Sequence, residues 1–476
     1  MDYKVTFGRK RIIIDTPINE NSIIDVLQKA LKIHNENEKD INYLIDYYKN
    51  KQPILNRVGG TTTEVNNKLA INFYMAGIRD IVGYTYGKPI QLLPKKSKNR
   101  KKIEEFINII DYENVSLVDM EVGLNASICG IGYSCSLPSP DISKDFTPEI
   151  PMNNVSLDPA NTFFIQSSEI GNPIILTVHR IKTSDNILIY QCYDNDFYYK
   201  ITCKNGSLNK DSIIEAEKNV IGINPIIPLE NTSFLMGNGE AALSIFDAIN
   251  QIGSDGINDV ESKVKSLLVI LGAQLEEDAS SKIKESNILE LFSDNGQQNS
   301  QLDAKFIYNQ INPQSVKELR EFLEESYKIV MGIPDRKTRG GGGGDTGEAV
   351  KLRDGWGDLE VVARITEMYI KKYKKRQIAV NLKVCKLLGL IDDSLNSIDI
   401  DIKLTRNQTD NLQSKVQAGS TLYGMGVSKE DTAELMSITN DISGFVNRWE
   451  ETEKKENVIV NQKEKEQITN DNNRNL

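Results

Sequence analysis

The chain has 476 residues, of which 39% are hydrophobic, and this is enough for two or more domains with cores of their own. Its formal net charge is −10, whereas proteins that coat DNA without sequence specificity are usually basic. The charge therefore argues against a DNA-coating protein, although an acidic chain can still handle DNA through a few well-placed basic residues.

Cysteine, histidine and apolar content argue against several kinds of site. The five cysteines are scattered and form no CxxC pair, which predicts free thiols in a reducing compartment. Zinc needs three or four converging ligands, and the only histidines, His34 and His179, lie far apart in sequence. The longest apolar run, LLVILGA, is far shorter than the ~20 residues that span a bilayer, and the N-terminus is unlike a signal peptide. We expect no metal, no cofactor, no membrane partner, and synthesis in a cytoplasm.

The first part of the chain, up to residue 130, has mainly helical patterns. A helix is predicted over 23–50, and a turn at Pro53 follows it. The segment VNNKLAINFYMAGIRDIVGYTYGKPI, residues 65–90, is predicted to be helical along its length. The basic residues 94–102 indicate a surface loop, and 103–130 predict a further helix.

Residues 131–230 predict a β-rich region. The runs IGYSCSLP, NTFFIQ, PIILTVHRI, ILIYQCYD and DFYYKITCKNG alternate in polarity or are rich in β-branched and aromatic residues. These are signals of antiparallel strands.

Two helices with apolar faces are predicted after this region. The first shares one face among Ile257, Val260, Val264, Leu267 and Leu271, which are spaced by three and four residues. The second begins at Pro313, and its face contains Val316, Leu319, Leu323, Tyr327 and Val330. Pro334 marks its end, because the residue before a proline avoids helical geometry.

The longest periodic segment covers residues 349–387. Its face contains Leu352, Trp356, Leu359, Ala363, Ile370, Tyr373, Val380, Val384 and Leu387, with Thr366 and Gln377 at two intervening steps. A strand is predicted at 398–404, and short helices at about 408–423 and 428–452. The polar and charged last residues predict a disordered tail.

The segment RKTRGGGGGDTGEA, residues 336–349, separates two predicted helices. A phosphate-binding loop of the Walker type needs a lysine after the glycines, and a dinucleotide loop needs a preceding strand, and neither is present. A run of five glycines opposes any fixed local structure. A plain linker between domains would also explain such a run. The basic residues at one end favour a mobile loop that contacts a passing polyanion.

Two segments carry a resemblance to a known family. YYKNKQPILNR, residues 47–57, and NNKLAINFYMAGIRDIVGYTYGKPI, residues 66–90, resemble the N-terminal signature of portal proteins of tailed bacteriophages with long non-contractile tails, the SPP1-type portal family. The order downstream is similar over about 40–450: IPLENTSFLMGNGEAALSIFDAINQI leads into a helix, and MGIPD precedes a variable loop that TGEAVKLRD follows.

The resemblance implies an α+β, mainly helical portal fold that assembles as a ring of about twelve copies. The parts it implies are an N-terminal and wing region at 1–239 with its β-rich part at 131–230, stem helices at 240–268 and 313–333, a clip at 269–312, a tunnel loop at 334–347, a long wing helix at 348–397, a crown at 398–455 and a disordered tail at 456–476. The loop residues expected to contact DNA are Arg336, Lys337, Thr338, Arg339, Gly340, Gly341, Gly342, Gly343 and Gly344. The DTGE that follows departs from the serine-glycine step of many relatives.

The function that this resemblance implies is a channel at one capsid vertex for packaging and ejection of double-stranded DNA, which also connects head and tail. Implied partners are the large terminase motor, the major capsid and scaffold proteins and a head-tail adaptor. The protein would lie in the virion and, during assembly, in the host cytoplasm. The predicted clip has seven acidic residues and three lysines. Its negative charge would repel the phosphates of a DNA duplex and so let the duplex slide.

No catalytic constellation is present in the sequence, and we expect no enzymatic activity. The paired carboxylates Glu324 and Glu325 are interpreted as surface charges. Two alternatives stay open: a phage nuclease, for which Asp158, Asp194 and Asp196 are the candidate metal ligands, and a head adaptor without a channel.

Overall fold

A computed structural model describes residues 7–58, 65–96, 99–139, 151–204, 206–264, 267–271, 303–307, 313–334, 356–406, 412–436 and 444–454. The helices are α1 (Ile23–Tyr48), α2 (Phe73–Tyr86), α3 (Arg100–Ile109), α4 (Tyr112–Cys129), α5 (Leu243–Val264), α6 (Pro313–Met331), α7 (Trp356–Leu387), α8 (Leu412–Gly424) and α9 (Lys429–Met436). The strands are β1 (Gln91–Pro94), β2 (Ile131–Pro138), β3 (Met152–Leu157), β4 (Thr162–Gln166), β5 (Ile174–Lys182), β6 (Leu188–Tyr193), β7 (Phe197–Cys203), β8 (Ile213–Lys218), β9 (Ile226–Glu230), β10 (Leu267–Leu271), β11 (Asp303–Ile307) and β12 (Ile400–Lys403). This content agrees with the predicted α+β, mainly helical class.

The chain divides into two compact units. Unit 1 contains residues 1–81, 121–136 and 155–373, and unit 2 contains residues 82–120, 137–154 and 374–476.

Unit 1 has a five-stranded antiparallel sheet as its main β element. The strand order is β4-β5-β6-β7-β8, so each strand pairs with its neighbour in sequence. One face of the sheet buries Phe163, Val178 and Ile201 with Val26 and Leu27 of α1 in a single apolar cluster. The predicted antiparallel strands are confirmed here, and β3, β8 and β9 are additional strands that the sequence reading missed.

The first predicted stem helix ends earlier than expected. We predicted that Leu267 and Leu271 continue the helical face of Ile257, but α5 ends at Val264 and these residues lie in β10. β10 pairs antiparallel with β11. The run LLVIL is apolar at every position and includes β-branched residues, so it fits a strand as well as a helix, and pairing with β11 decides between the two.

The segment before α2, residues 65–72, is not helical, which corrects the helix predicted over residues 65–90. α2 begins only at Phe73, where the backbone N–H of Met75 donates to Asn72 Oδ1 over 3.0 Å. The backbone N–H groups of Asn67, Leu69 and Ile71 donate to side chains of α5. Partners outside the segment therefore replace the bonds that a helix would make within itself.

The periodic face of α7 is confirmed over its described side chains. Leu359, Ala363, Ile370, Tyr373, Val380 and Val384 are buried, and so are the two polar steps Thr366 and Gln377. Leu387, at the last turn, is exposed. Residues 349–355, which the prediction included, lie outside the described part of the chain.

Unit 2 combines a short β pair with helices. β1 pairs antiparallel with β12, which confirms the strand predicted near residues 398–404. The single helix predicted over 103–130 is two helices, because Asp111 has a positive φ of 49° that interrupts the helical backbone. α8, α9 and helical residues 444–454 correspond to the two short C-terminal helices that we predicted.

Candidate functional site

The predicted DNA-contacting residues lie outside the described part of the chain. This applies to all nine of them, Arg336 to Gly344. The site is therefore described from the residues of α6 that precede this segment and from those residues of α2, α5 and α7 that belong, like α6, to unit 1.

α6 ends in a glycine cap immediately before the loop. The N–H of Gly332 donates to the carbonyl of Ile329 over 3.1 Å, and the N–H of Ile333 donates to the carbonyl of Lys328 over 3.0 Å. These are the two bonds of a Schellman motif, and Gly332 has the positive φ, 64°, that this motif requires. Ile333 and Pro334 are buried, so the chain leaves α6 from a fixed position.

α2 packs closely against the end of α6. A Cβ on Gly77 would lie 2.8 Å from Sδ of Met331, a distance that only the absence of a side chain at position 77 permits. The rings of Phe73 and Tyr327 stack with centroids 5.1 Å apart, and Phe246 of α5 lies 5.2 Å from the same tyrosine ring. Tyr327 is thus the residue where α2, α5 and α6 meet.

The apolar face predicted for α6 is only partly buried. Tyr327 is buried and Leu323 is half-buried, but Leu319 and Val330 are 49% and 48% exposed. The buried side instead includes Glu324, whose carboxylate accepts from Arg320 Nε over 2.8 Å. The interpretation of Glu324 as a surface charge was therefore wrong, whereas Glu325 is exposed.

Large apolar side chains project to solvent from three helices of unit 1. They are Ile257 and Val260 of α5, Leu319, Phe322, Ile329 and Val330 of α6, and Val361, Ile365 and Met368 of α7. Exposed apolar side chains that are scattered singly are ordinary, but sets at helical spacing mark interaction surfaces. The three residues of α7 are spaced by four and three and so share one side of the helix.

The aspartates considered as metal ligands are engaged in turns. Asp158 Oδ1 accepts from the N–H of Ala160, and Asp194 Oδ1 accepts from the N–H groups of Asp196 and Phe197. Within the described ranges, no three residues of the types His, Cys, Asp and Glu are grouped so that they could hold a metal ion.

The histidines and cysteines have structural surroundings. Nε2–H of His34 donates to the carbonyl of Ala160 over 3.0 Å, and burial lowers the pKa of this imidazole to about 4. Nδ1 of His179 lies 2.9 Å from Oγ1 of Thr162. All five cysteines are free and buried, and burial raises the pKa of Cys129, which makes its thiol unreactive.

Within the part of the chain that the structure describes, no helix has the length and apolar content needed to cross a bilayer.

Comparison with known proteins identifies one family. No curated protein matches the chain. Residues 27–469 match the family described as "Phage portal protein, SPP1 Gp6-like", which is nearly the entire sequence. The chain therefore belongs to the SPP1 Gp6-like family of phage portal proteins.

Proposed function

We propose that this portal protein forms a closed ring of about twelve copies around a channel for double-stranded DNA. The ring would occupy one vertex of the capsid, admit DNA during packaging, release it during ejection and connect the head to the tail. Its proposed partners are the terminase motor, the capsid and scaffold proteins and a head-tail adaptor.

The observation that carries the proposal is the exposed apolar residues of α6 and α7. Phe322, Ile329 and Ile365 are 64%, 72% and 58% exposed in the single chain. Burying an apolar side chain contributes about 1.5–3 kcal/mol, so a surface of this kind favours contact with another molecule. A portal protein forms such contacts between its own copies, and contacts between unlike surfaces close into a ring when the rotation allows it.

The basic glycine loop supports the DNA part of the proposal. Arg336, Lys337 and Arg339 follow the capped end of α6 after Asp335, and the five glycines follow them. Each phosphate contact with Lys or Arg adds salt-dependent affinity, and three such contacts hold a duplex weakly. Loose contact suits DNA that must slide.

The mass of the native assembly tests the ring. The purified protein should run as one species of about twelve subunits in native mass spectrometry, and negative-stain images should contain rings with a central opening. Replacement of Phe322 and Ile365 together by aspartate should reduce assembly strongly, because each charge would be desolvated at the contact.

A matched variant separates loss of assembly from loss of folding. Ile170, which lies in the turn after β4, is fully exposed, and its replacement by aspartate should leave the rings intact. If the Phe322 and Ile365 variant assembles as well as the Ile170 variant does, α6 and α7 are not the contact between copies. A stable monomer of the unaltered protein at micromolar concentration in all salts would contradict the ring itself.

No specific observation in the described residues favours either alternative function. Asp158 and Asp194, which a nuclease would need as ligands, are used in turns of their own backbone. Members of a portal family are generally structural rather than enzymatic.

A further inference from the structure

The segment Val65–Asn72, here called the strap, lies outside the helices and strands and is attached to α5 through the backbone N–H groups of three alternate residues. The donors are Asn67, Leu69 and Ile71, and their acceptors are Asn258 Oδ1 at 2.8 Å, Ser254 Oγ at 2.9 Å and Asn250 Oδ1 at 2.8 Å. Asn250 and Ser254 are fully buried. The strap thus obtains from side chains the acceptors that a strand obtains from a neighbouring strand.

The rise per residue of the strap and of α5 explains why these three hydrogen bonds, here called the ladder, can form side by side. Two residues of extended chain advance about 6.6 Å, and four residues of α-helix advance about 6.0 Å. The acceptors at 250, 254 and 258 follow the helical spacing of four and so lie on one side of α5. The mismatch of about 0.6 Å per step stays small over three rungs.

The opposite edge of the strap is bonded to the segment after α1. The side chains of Asn66, Lys68 and Asn72 donate to the backbone carbonyls of Arg57, Leu55 and Tyr48, over 3.2, 2.9 and 2.8 Å. The even positions of the strap therefore face residues 48–57, while its odd positions face α5.

The side chains around the strap favour the observed register of these hydrogen bonds. The sequence of α5 offers a further hydroxyl at Ser262, so a strap displaced by one helical turn would still find acceptors. In the observed register, however, Cδ2 of Leu69 lies 3.0 Å from where Gly253 would carry a Cβ. A displaced Leu69 would face position 257, where isoleucine has a side chain. Arg57 and Asp255, paired at 2.7 Å, fix the same register.

We infer that the strap is a register lock, which fixes the axial position of α5 relative to α2 and thereby the position from which the basic glycine loop leaves α6. The strap runs directly into α2, where Phe73 stacks on Tyr327 and Gly77 contacts Met331, one residue before the Gly332 cap. Asn250, Ser254 and Asn258 are positioning residues in this account. The inference does not depend on the proposed ring, because every contact it uses lies within one chain.

Residue-resolved hydrogen exchange of the purified full-length protein tests the ladder. Ser254→Ala removes the acceptor of Leu69 alone, so the exchange of that amide should accelerate by roughly tenfold or more, while the amides of α5 keep their protection. Ser244→Ala is the matched control, because Ser244 lies on the same helix with an exposed side chain. Unchanged exchange at Leu69 in Ser254→Ala would overturn the lock.

A second pair of variants guards against general loosening of the fold. Asn258→Ala should accelerate exchange at Asn67, whereas Asn258→Asp keeps an acceptor oxygen and should preserve its protection. The double variant Ser254→Ala with Asn258→Ala should also accelerate exchange at Ile333, whose N–H closes the cap before the loop. Protection at Ile333 equal to that of the unaltered protein would overturn the link between the strap and the loop.

Discussion

Gly332 and Val362 are in such close contact that a side chain at position 332 would force Val362 to shift. A Cβ on Gly332 would lie 2.7 Å from Cγ2 of Val362 in α7. Gly332 also has a φ of 64°, a backbone conformation that residues with a side chain adopt at a cost. One glycine thus both caps α6 and allows α7 to approach it, immediately before the predicted DNA-contacting loop.

Replacement of Gly332 by alanine should therefore destabilise the protein. The left-handed conformation alone costs about 1–2 kcal/mol for alanine, and the contact with Val362 adds to this. We expect a lower free energy of unfolding in chemical denaturation, by about 1–3 kcal/mol in total.

A second helical glycine serves as the control for this prediction. Gly256 lies within α5, and a Cβ at this position would meet no atom within 4 Å. Gly256→Ala should raise the free energy of unfolding by about 0.5–1 kcal/mol, because alanine has the higher helix propensity. Equal effects of the two substitutions would show that the cap at Gly332 carries no strain penalty.

The sequence predicted elements whose periodicity is long and regular. The stripe of α7, from Leu359 to Val384, was assigned correctly with its two polar steps, because a helix that buries one face repeats its pattern over many turns. Four of the five strands of the large sheet, β4 to β7, were predicted from their alternation and their β-branched and aromatic residues, whereas β8 was not. These patterns are local, so tertiary contacts do not alter them.

Features that depend on distant partners were not predicted. We predicted a helix for the strap, but its backbone N–H groups bond to Asn250, Ser254 and Asn258, which lie almost two hundred residues away in the sequence. The spacing of these three polar residues by four places them on one side of α5, but nothing in the sequence indicates which segment bonds to them. The close approach of Met331 to Gly77 and of Val362 to Gly332 likewise depends on residues of other helices, which the local pattern does not show.

The buried ion pair of unit 2 should respond differently to single and double substitution. Nζ of Lys374 bonds to Asp119 and, over 2.8 Å, to Gln377 Oε1, and burial lowers the pKa of the ammonium group. Lys374→Met removes the ammonium group that compensates the buried Asp119 charge, so we expect a loss of about 3–5 kcal/mol in the free energy of unfolding. The double variant with Asp119→Leu should recover most of this loss in chemical denaturation.

An exposed pair provides the comparison. Lys10 and Glu36 form an ion pair with both side chains more than half exposed. Lys10→Ala should change the free energy of unfolding far less than Lys374→Met does, because water screens the exposed interaction. A double variant at 119 and 374 as unstable as Lys374→Met alone would mean that the lost stability comes from packing rather than from an unpaired charge.

Protonation of His34 should reduce stability in mild acid. Its pKa falls from 6.5 to about 4 on folding, mainly because burial disfavours the charged imidazolium. Between these two values the unfolded chain binds a proton that the folded chain does not, so stability decreases as the pH falls from 6.5 towards 4. The full loss is about 3 kcal/mol. His34→Gln retains an N–H donor for Ala160 but does not titrate. The stability difference between pH 7 and 4.5 should be smaller in this variant, and an equal difference would exclude His34 as the cause.

The basic residues of the glycine loop should matter for DNA and not for folding. Replacement of Arg336, Lys337 and Arg339 together by alanine should leave ring assembly unchanged if the segment is the surface loop that the sequence predicts, because such loops contribute little to a core. In a packaging assay the variant should retain less DNA, with the largest deficit at low salt, where three phosphate contacts contribute most. The control replaces three exposed lysines of the β-rich region, Lys204, Lys210 and Lys218, and removes the same total charge. A deficit in both variants would indicate an effect of net charge alone. Normal retention in the loop variant at every salt concentration would mean that the glycine run is a linker and that DNA contacts the channel elsewhere.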